Sequence, residues 1–383
     1  MENAPIDGLE ALERHLKVLV EKPETPFDAK LFDDVELQLT HAPFSKNEAG
    51  QERDDSLAIS SVSPVATPTN TPPLLSRLLP GLTATLTLTP HDPTPAASLA
   101  TKLLAPLNFT TLLTIAPPPS LTLALASSPP SGLLALAILE KAASSPSNVA
   151  LLATHPDLIA QLIRTWLASP AVGVGERATQ LLASLLATDC PEPPLRRDDG
   201  VITFPPPSKA GVGQGLLWRR IFGDKDIYAS IFAMCSAATP EDDEDYLPER
   251  QRSLAQGRLL RLLPSLAVLD LSTLSRSHFP DAERSYGTSG KGLLHFAAAE
   301  MVDHEDVLMH VTLLEFFGEL VREVSRVVLG REEEAWLRGL VEEAGVRDQL
   351  VGGMLEAIVG EEGVTGELVE LLRRLGIRGV GEV

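Results

Sequence analysis

Three features of the 383-residue sequence predict an all-α architecture built from stacked pairs of helices. Apolar residues make up 44% of the chain and aromatic residues only 4%, so Leu and Ala carry the core. Both are strong helix formers and pack helix on helix without large rings. Apolar positions recur three and four residues apart through most of the chain, the spacing of a helix with one buried stripe. The periodic segments also follow one another in pairs, separated by short breaks rich in Pro and Gly.

Residues 6–21 place Ile6, Leu9, Leu12, Leu16, Leu19 and Val20 on one side of a first helix. After Pro23 and Pro26, "PFDAKLFDDVELQLTHA" predicts a shorter second helix. Residues 45–73 are polar and rich in Ser, Thr and Pro, with too little apolar content to offset the entropy of ordering. They read as a flexible insertion. The alternation in "LTATLTLTP", 82–90, reads as a short edge strand or an extended loop. Pro-rich breaks follow at 116–131 and at 189–209, the latter an inter-repeat loop.

The clearest pair is 155–170 with 172–187. Leu158, Leu162, Ile163, Trp166 and Leu167 form the stripe of the first helix. The second carries V-x-x-R-A-x-x-x-L-x-x-L from Val174 to Leu185, the pattern of a HEAT or armadillo unit. Such helices need wide apolar stripes, because each packs on its own partner and on the neighbouring repeats. Further pairs are predicted at 213–222 with 225–238, 248–263 with 265–276, 290–301 with 304–329 and 331–343 with 346–359, then a last helix at 364–375. In 304–329, Val307, Val311, Leu314, Val321, Val324 and Val328 make one stripe, widened by Leu308, Phe317 and Leu320. A helix this apolar is expected to be covered on several sides. The fold class is therefore an all-α, HEAT/armadillo-like helical-repeat solenoid over residues 1–383, about seven or eight repeats at roughly 40–47 residues each.

A formal charge of −20 argues against unaided binding to nucleic acid, which needs a basic surface, and suits a basic protein partner. Cys190 and Cys235 lie far apart with no CxxC, so neither a disulfide framework nor a cysteine zinc site is expected. The N-terminal residues lack the basic and apolar regions of a secretory leader. The longest purely apolar run, "LLALAIL" at 133–139, falls far short of the ~20 residues that span a bilayer. A soluble cytoplasmic protein is expected, with the nucleus the other compartment open to it.

Each stretch that suggests chemistry fails on spacing. "KAGVGQG", 209–215, lacks the GxGxxG of a dinucleotide loop, and "VITFPPP" before it is a poor central strand. Around "YGTSGKG", 286–292, the preceding Ser285 stands where a Walker A motif needs its first Gly, and Gly292 where it needs a hydroxyl. Lys291 replaces the last Gly of a G-x-S-x-G elbow. In "HEDVLMH", six residues separate His304 from His310, a rotation of roughly 240° on a helix, so the two are not expected to share an ion. "EDDED", 241–245, reads as a solvated loop, with electrostatic docking as the sharper alternative. No catalytic residue, cofactor or metal is assigned.

"LLWRRIFGDKDIY", 216–228, reads instead as an inter-helix corner. Trp218, Ile221 and Phe222 face the packed side, Gly223 ends one helix and Asp224 caps the next. Arg, Trp and Tyr are also the residue types of protein-binding hot spots. "LWRRIFGDKDIY", "QGRLLRLLPSLAVLDLSTLSRSHFPDAE" and "GLLHFAAAEMVDHEDVLMHVTLLEFFGELV" together resemble the fungal chaperones of proteasome regulatory-particle base assembly, a family historically catalogued as mismatch-repair proteins. That family is similar in role to animal 26S proteasome non-ATPase regulatory subunit 5. The likeness is clearest over roughly residues 150–330. It implies a C-shaped solenoid without enzymatic activity that binds the C-terminal domain of a proteasomal ATPase subunit, with other base subunits and assembly chaperones as further partners. The Pro/Ser-rich insertions depart from the family.

The resemblance supplies no contact motif, so the candidate partner-binding residues are chosen at helix corners. They are Arg219, Arg220, Asp224, Lys225, Asp226 and Tyr228, with Arg276, His278, Asp303 and Asp306 farther along. A HEAT scaffold in DNA mismatch repair is the competing reading, against which the acidic charge speaks; a transport adaptor would be longer. From the failed motifs, the purified protein is expected to bind neither ATP nor stoichiometric zinc. Calorimetry with ATP and metal analysis check this; micromolar ATP binding would overturn the first half.

Overall fold

The computed structural model describes residues 7–40, 71–88, 91–198, 201–203, 211–361 and 364–377. They divide into two compact units, Met1–Lys141 and Ala142–Val383. The chain is mainly α-helical. The predicted insertion lies outside the described residues as far as residue 70.

In the first unit the helices are α1 (Leu9–Glu21), α2 (Ala29–Thr40), α3 (Thr71–Leu88), α4 (Thr94–Leu104), α5 (Phe109–Ile115), α6 (Pro118–Ala126) and α7 (Pro129–Glu140). α1 buries Leu9, Leu12, Leu16 and Leu19, as its spacing predicts, and packs on α3. Two expectations are corrected here. Residues 71–73 are helical and not part of the insertion, and 82–88 are helical and not an edge strand or extended loop. Leu78 and Leu82 are buried on α3, and the buried Thr85 donates its hydroxyl to the Gly81 carbonyl (2.8 Å). Tertiary burial of the leucines overrides the β-preference of Thr, and the back-bond satisfies its hydroxyl. The Pro-rich 116–131 is not a break either. Pro118 and Pro129 start α6 and α7, where the missing N–H costs nothing.

The second unit begins with α8 (Pro146–Ala153), α9 (Pro156–Ala168) and α10 (Val172–Asp189). A small antiparallel hairpin follows, β1 (Arg196–Asp198) with β2 (Val201–Thr203), inside the predicted 189–209 loop. Then come α11 (Leu216–Gly223), α12 (Lys225–Cys235), α13 (Glu249–Ser275) and α14 (Pro280–Ser285). α15 (Leu293–His295) runs into a π-helical turn, Phe296–Glu300. The unit ends with α16 (Val307–Ser325), α17 (Arg331–Arg347), α18 (Gln349–Val359) and α19 (Gly366–Arg374).

α13 is the centre of this unit, packing against α9, α10, α12 and α16. The predicted break at Pro264 does not occur. The chain leaves helical geometry at Asp270 (φ −156°, ψ 82°), whose carboxylate takes the Thr273 amide at 2.8 Å and restarts the helix. Two buried polar side chains of α13 satisfy the ends of other helices. Arg258 donates to the carbonyls of Trp166 (3.0 Å) and Leu167 (2.9 Å) at the end of α9. Gln256 donates to those of Cys235 (2.8 Å), ending α12, and Met301 (2.9 Å).

The glycine loop at 211–215 is held by the same logic with the charge reversed. Asp189, the fully buried last residue of α10, accepts the amides of Gln214 (3.2 Å) and Leu217 (2.6 Å). It thereby caps α11 from a distance, in the place an anion would take. Gly213 presses so closely on α10 that a Cβ would lie 2.3 Å from the Asp189 carbonyl carbon.

Asp189→Ala should therefore lower unfolding free energy by about 1–3 kcal/mol through buried amides left unpaired, and Gly213→Ala should also destabilise. Gly257→Ala, on α13 with nothing within 4 Å of the new methyl, should stabilise by about 0.5–1 kcal/mol. Urea unfolding midpoints check all three; equal midpoints for wild type and Asp189→Ala would refute the capping role.

Candidate functional site

The α11–α12 corner is a brace. Arg220 donates to the Ala153 carbonyl (3.1 Å) and to Asp224 (3.1 Å), while the other oxygen of Asp224 caps α12. Arg219 donates to the carbonyls of Gly215 and Gln214 beside its own helix start. Tyr228 is not a surface hot spot. It is fully buried among Phe222, Phe232, His278 and Phe279, and its hydroxyl donates to Glu283 at 2.9 Å. Burial, with Glu283 beside it, pushes the phenol pKa upward. His278 bonds the Thr273 carbonyl (2.9 Å) and belongs to the same aromatic cluster. Of the corner residues, Arg219, Lys225, Asp226 and Arg276 are exposed.

The acidic run at 241–245 is only partly solvated. Glu244 and Asp245 both grip Arg164 of α9, at 2.6 and 3.2 Å, and Asp245 is buried. Burial raises the Asp245 carboxyl to about 6 against the opposing pull of Arg164.

The "YGTSGKG" loop also spends its amides on carboxylates of its own chain. Buried Glu283 accepts the Gly292 amide (3.0 Å) and the hydroxyls of Tyr228 and Ser277. Gly292 has φ +98°, and a side chain there would meet the Arg276 backbone at 2.8 Å. Next to it, Ser289 Oγ lies 3.5 Å from His295 Nδ1, and Glu343 holds the Nε2 side at 3.1 Å. That order is the one a serine nucleophile, base and acid would take. Yet the Ser289 amide, which could serve an oxyanion, is bonded to both oxygens of Glu300 at 3.1 Å. A carboxylate there would repel the developing negative charge, so the geometry does not favour acyl transfer.

The third cluster lies at the start of α16. His304 precedes the helix, because Asp306 caps it by accepting the amides of Leu308 (3.0 Å) and Met309 (3.2 Å). The helical rotation that would separate His304 from His310 therefore does not apply, and their rings lie 5.0 Å apart. Asp348, at the α17–α18 corner, reaches both, with Oδ2 at 2.5 Å from His310 Nε2 and 3.6 Å from His304 Nδ1. The premise against a shared ion is thus overturned. Asp303, whose Oδ1 accepts the Glu305 amide (2.9 Å), holds the same turn.

Exposed apolar residues flank these side chains in sequence, at the start of α16 and on either side of Asp348. Val307 and Leu308 are 75% and 74% exposed, Val311 47%, Val346 86% and Leu350 59%. The expected cover of α16 thus fails over its first turns, while Phe317, Leu320, Val321 and Val324 are buried as the stripe predicts; Leu314 is half-buried, its neighbour Leu313 is buried instead, and Val328 lies past the helix end. Exposed apolar groups that gather on one surface mark binding sites more often than isolated ones do. Of the residues chosen from the sequence, Asp303 and Asp306 lie beside this face; the face itself was missed, because helical periodicity cannot distinguish a covered stripe from an open one. Comparison of the chain with family models, curated proteins and solved structures finds no match in any of the three.

Glu300 gives a test of the buried network. Burial would raise its carboxyl, but His295 and Ser289 outweigh that and hold it near about 2, against an ordinary 4.5. A depressed folded pKa stabilises fully above the ordinary value and ceases to do so as pH falls through the folded one. Glu300→Gln should cost about 1–3 kcal/mol at neutral pH and lose less stability than wild type between about pH 5 and 2. Urea midpoints across that range check it; parallel curves would refute the role.

Proposed function

We propose that the protein is a non-catalytic helical scaffold that chaperones assembly of the 26S proteasome regulatory-particle base, binding the C-terminal domain of a proteasomal ATPase subunit. The observation that carries this reading is the open apolar face of Val307, Leu308, Val311, Val346 and Leu350, which a folded helical domain would cover. Its α16 residues lie in the third of the three phrases that resemble the chaperone family. The finer architecture belongs to the same proposal: α9 with α10, and α11 with α12, are HEAT-like pairs of a C-shaped solenoid. Cytoplasm and nucleus are the compartments in which it would act. The charge of −20 supports a protein partner over mismatched DNA.

The partner's approach would be set by apolar burial at the face, with the rim carboxylates Asp303, Glu305 and Asp306 steering encounter with basic residues. The braced α11–α12 corner has a different role. Reversing Arg219 and Arg220 to Glu should lower stability by about 1–3 kcal/mol through the lost carbonyl bonds and the added repulsion of Asp224.

Calorimetric titration of the full chain against the C-terminal domain of each proteasomal ATPase subunit is the test. One domain should bind, and Val307→Asp with Leu308→Asp should weaken it about 10–100-fold with unchanged circular dichroism. Absence of binding by the wild type to every domain would sink the chaperone reading; binding indifferent to the Asp pair would move the interface elsewhere.

A further inference from the structure

His304, His310 and Asp348 converge on one point, and we propose that they bind a divalent transition-metal ion of the zinc class. One ligand atom from each residue lies within 4.8 Å of the others. Zinc takes imidazole nitrogen and carboxylate oxygen at about 2.0–2.2 Å, which sets neighbouring ligand atoms roughly 3.3 Å apart in a tetrahedron. The observed 2.5 Å and 3.6 Å from Asp348 Oδ2 bracket that separation, so small side-chain rotations suffice.

The site is supported from behind. Asp348 Oδ1 accepts the Leu350 amide at 2.9 Å, which aims Oδ2 at both imidazoles. The His310 amide bonds the Asp306 carbonyl at 2.8 Å, and the Asp306 amide bonds that of Asp303 at 3.2 Å, so the turn bearing His304 is tied to the helix bearing His310. Arg347, the chain neighbour of Asp348, is engaged elsewhere, with the Ala299 carbonyl at 2.5 Å and Glu343 at 2.7 Å.

Two nitrogens and one oxygen suit zinc. Magnesium and calcium prefer oxygen alone, and copper(I) prefers sulfur. Binding requires the Nε2 lone pair of His310, so a proton on Nε2 would move to Nδ1 or leave to solvent. Three protein ligands leave a fourth position for water, on the side where His304 is 42% exposed. Resting on the docking reading above, the ion would also fasten the 303–306 turn to the start of α18 and hold the apolar face in one geometry.

The test uses the full chain alone, stripped of metal and titrated with zinc against a chromogenic chelator, then with cobalt(II) for its visible absorption. One ion per chain should bind at micromolar affinity or tighter, with the strong absorption of four-coordinate cobalt. His304→Ala, and Asp348→Asn, which keeps an N-cap residue, should each weaken zinc at least ~10-fold with helicity intact. No zinc binding by the wild type, or affinity unchanged in both variants, would overturn the site. Because no partner is present, failure here is separate from failure of the docking reading.

Discussion

Helix ends and glycine turns buried inside a protein must find partners for their amides and carbonyls, and this requirement organises the second unit. Arg258 and Gln256, both on α13, close the ends of α9 and α12 and reach Met301. Asp189 closes the start of α11, while Glu283 and Glu300 take up amides of the 286–292 loop. An orphaned buried polar group costs about 1–3 kcal/mol, comparable to a sizeable share of a domain's net stability. α13 packs against α9, α10, α12 and α16 among others, so its polar side chains couple elements far apart in the chain.

The same requirement explains why glycine-rich stretches invite a nucleotide reading. Gly213 and Gly292 do permit a close approach of backbone, as phosphate loops do. The surfaces they approach are the chain's own, and the anions they meet are its own carboxylates. An internal carboxylate fills such a cradle permanently, leaving a stiff corner. The chemistry suggested by Ser289 and His295 is constrained in the same way, since Glu300 occupies the amide that catalysis would need.

What is left for interaction lies where packing stops. Val307 and Leu308 project from the first turn of a helix whose later turns are buried. Beside them, Asp348 joins the α17–α18 corner to two histidines, one on α16 and one on the turn before it. An apolar surface next to a cluster of liganding side chains combines affinity from burial with geometry from a fixed point. Neither Cys190 nor Cys235 contributes, since both are buried and burial raises their thiols.

Most helices were legible because an apolar stripe at helical spacing is a local property of the chain. α1, α9, α10 and α16 follow their Leu and Val positions, and Asp224 caps α12 as its place before "KDIY" suggests. Proline was less legible, because the residue that breaks a helix in its interior also starts one at its first position. Whether Pro118 ends or begins an element depends on what covers Leu121 and Leu125, and Thr85 becomes helical for a similar reason. The site lay further still from what sequence alone determines. His304 and His310 stand six apart in sequence, and a single helix would have turned them away from each other. The cap at Asp306 put one of them outside the helix, and Asp348 arrived from 38 residues away. Local spacing determines which face of a helix is apolar; only the tertiary structure decided which face stayed open and which distant groups met there, because those depend on contacts between segments that no local period encodes.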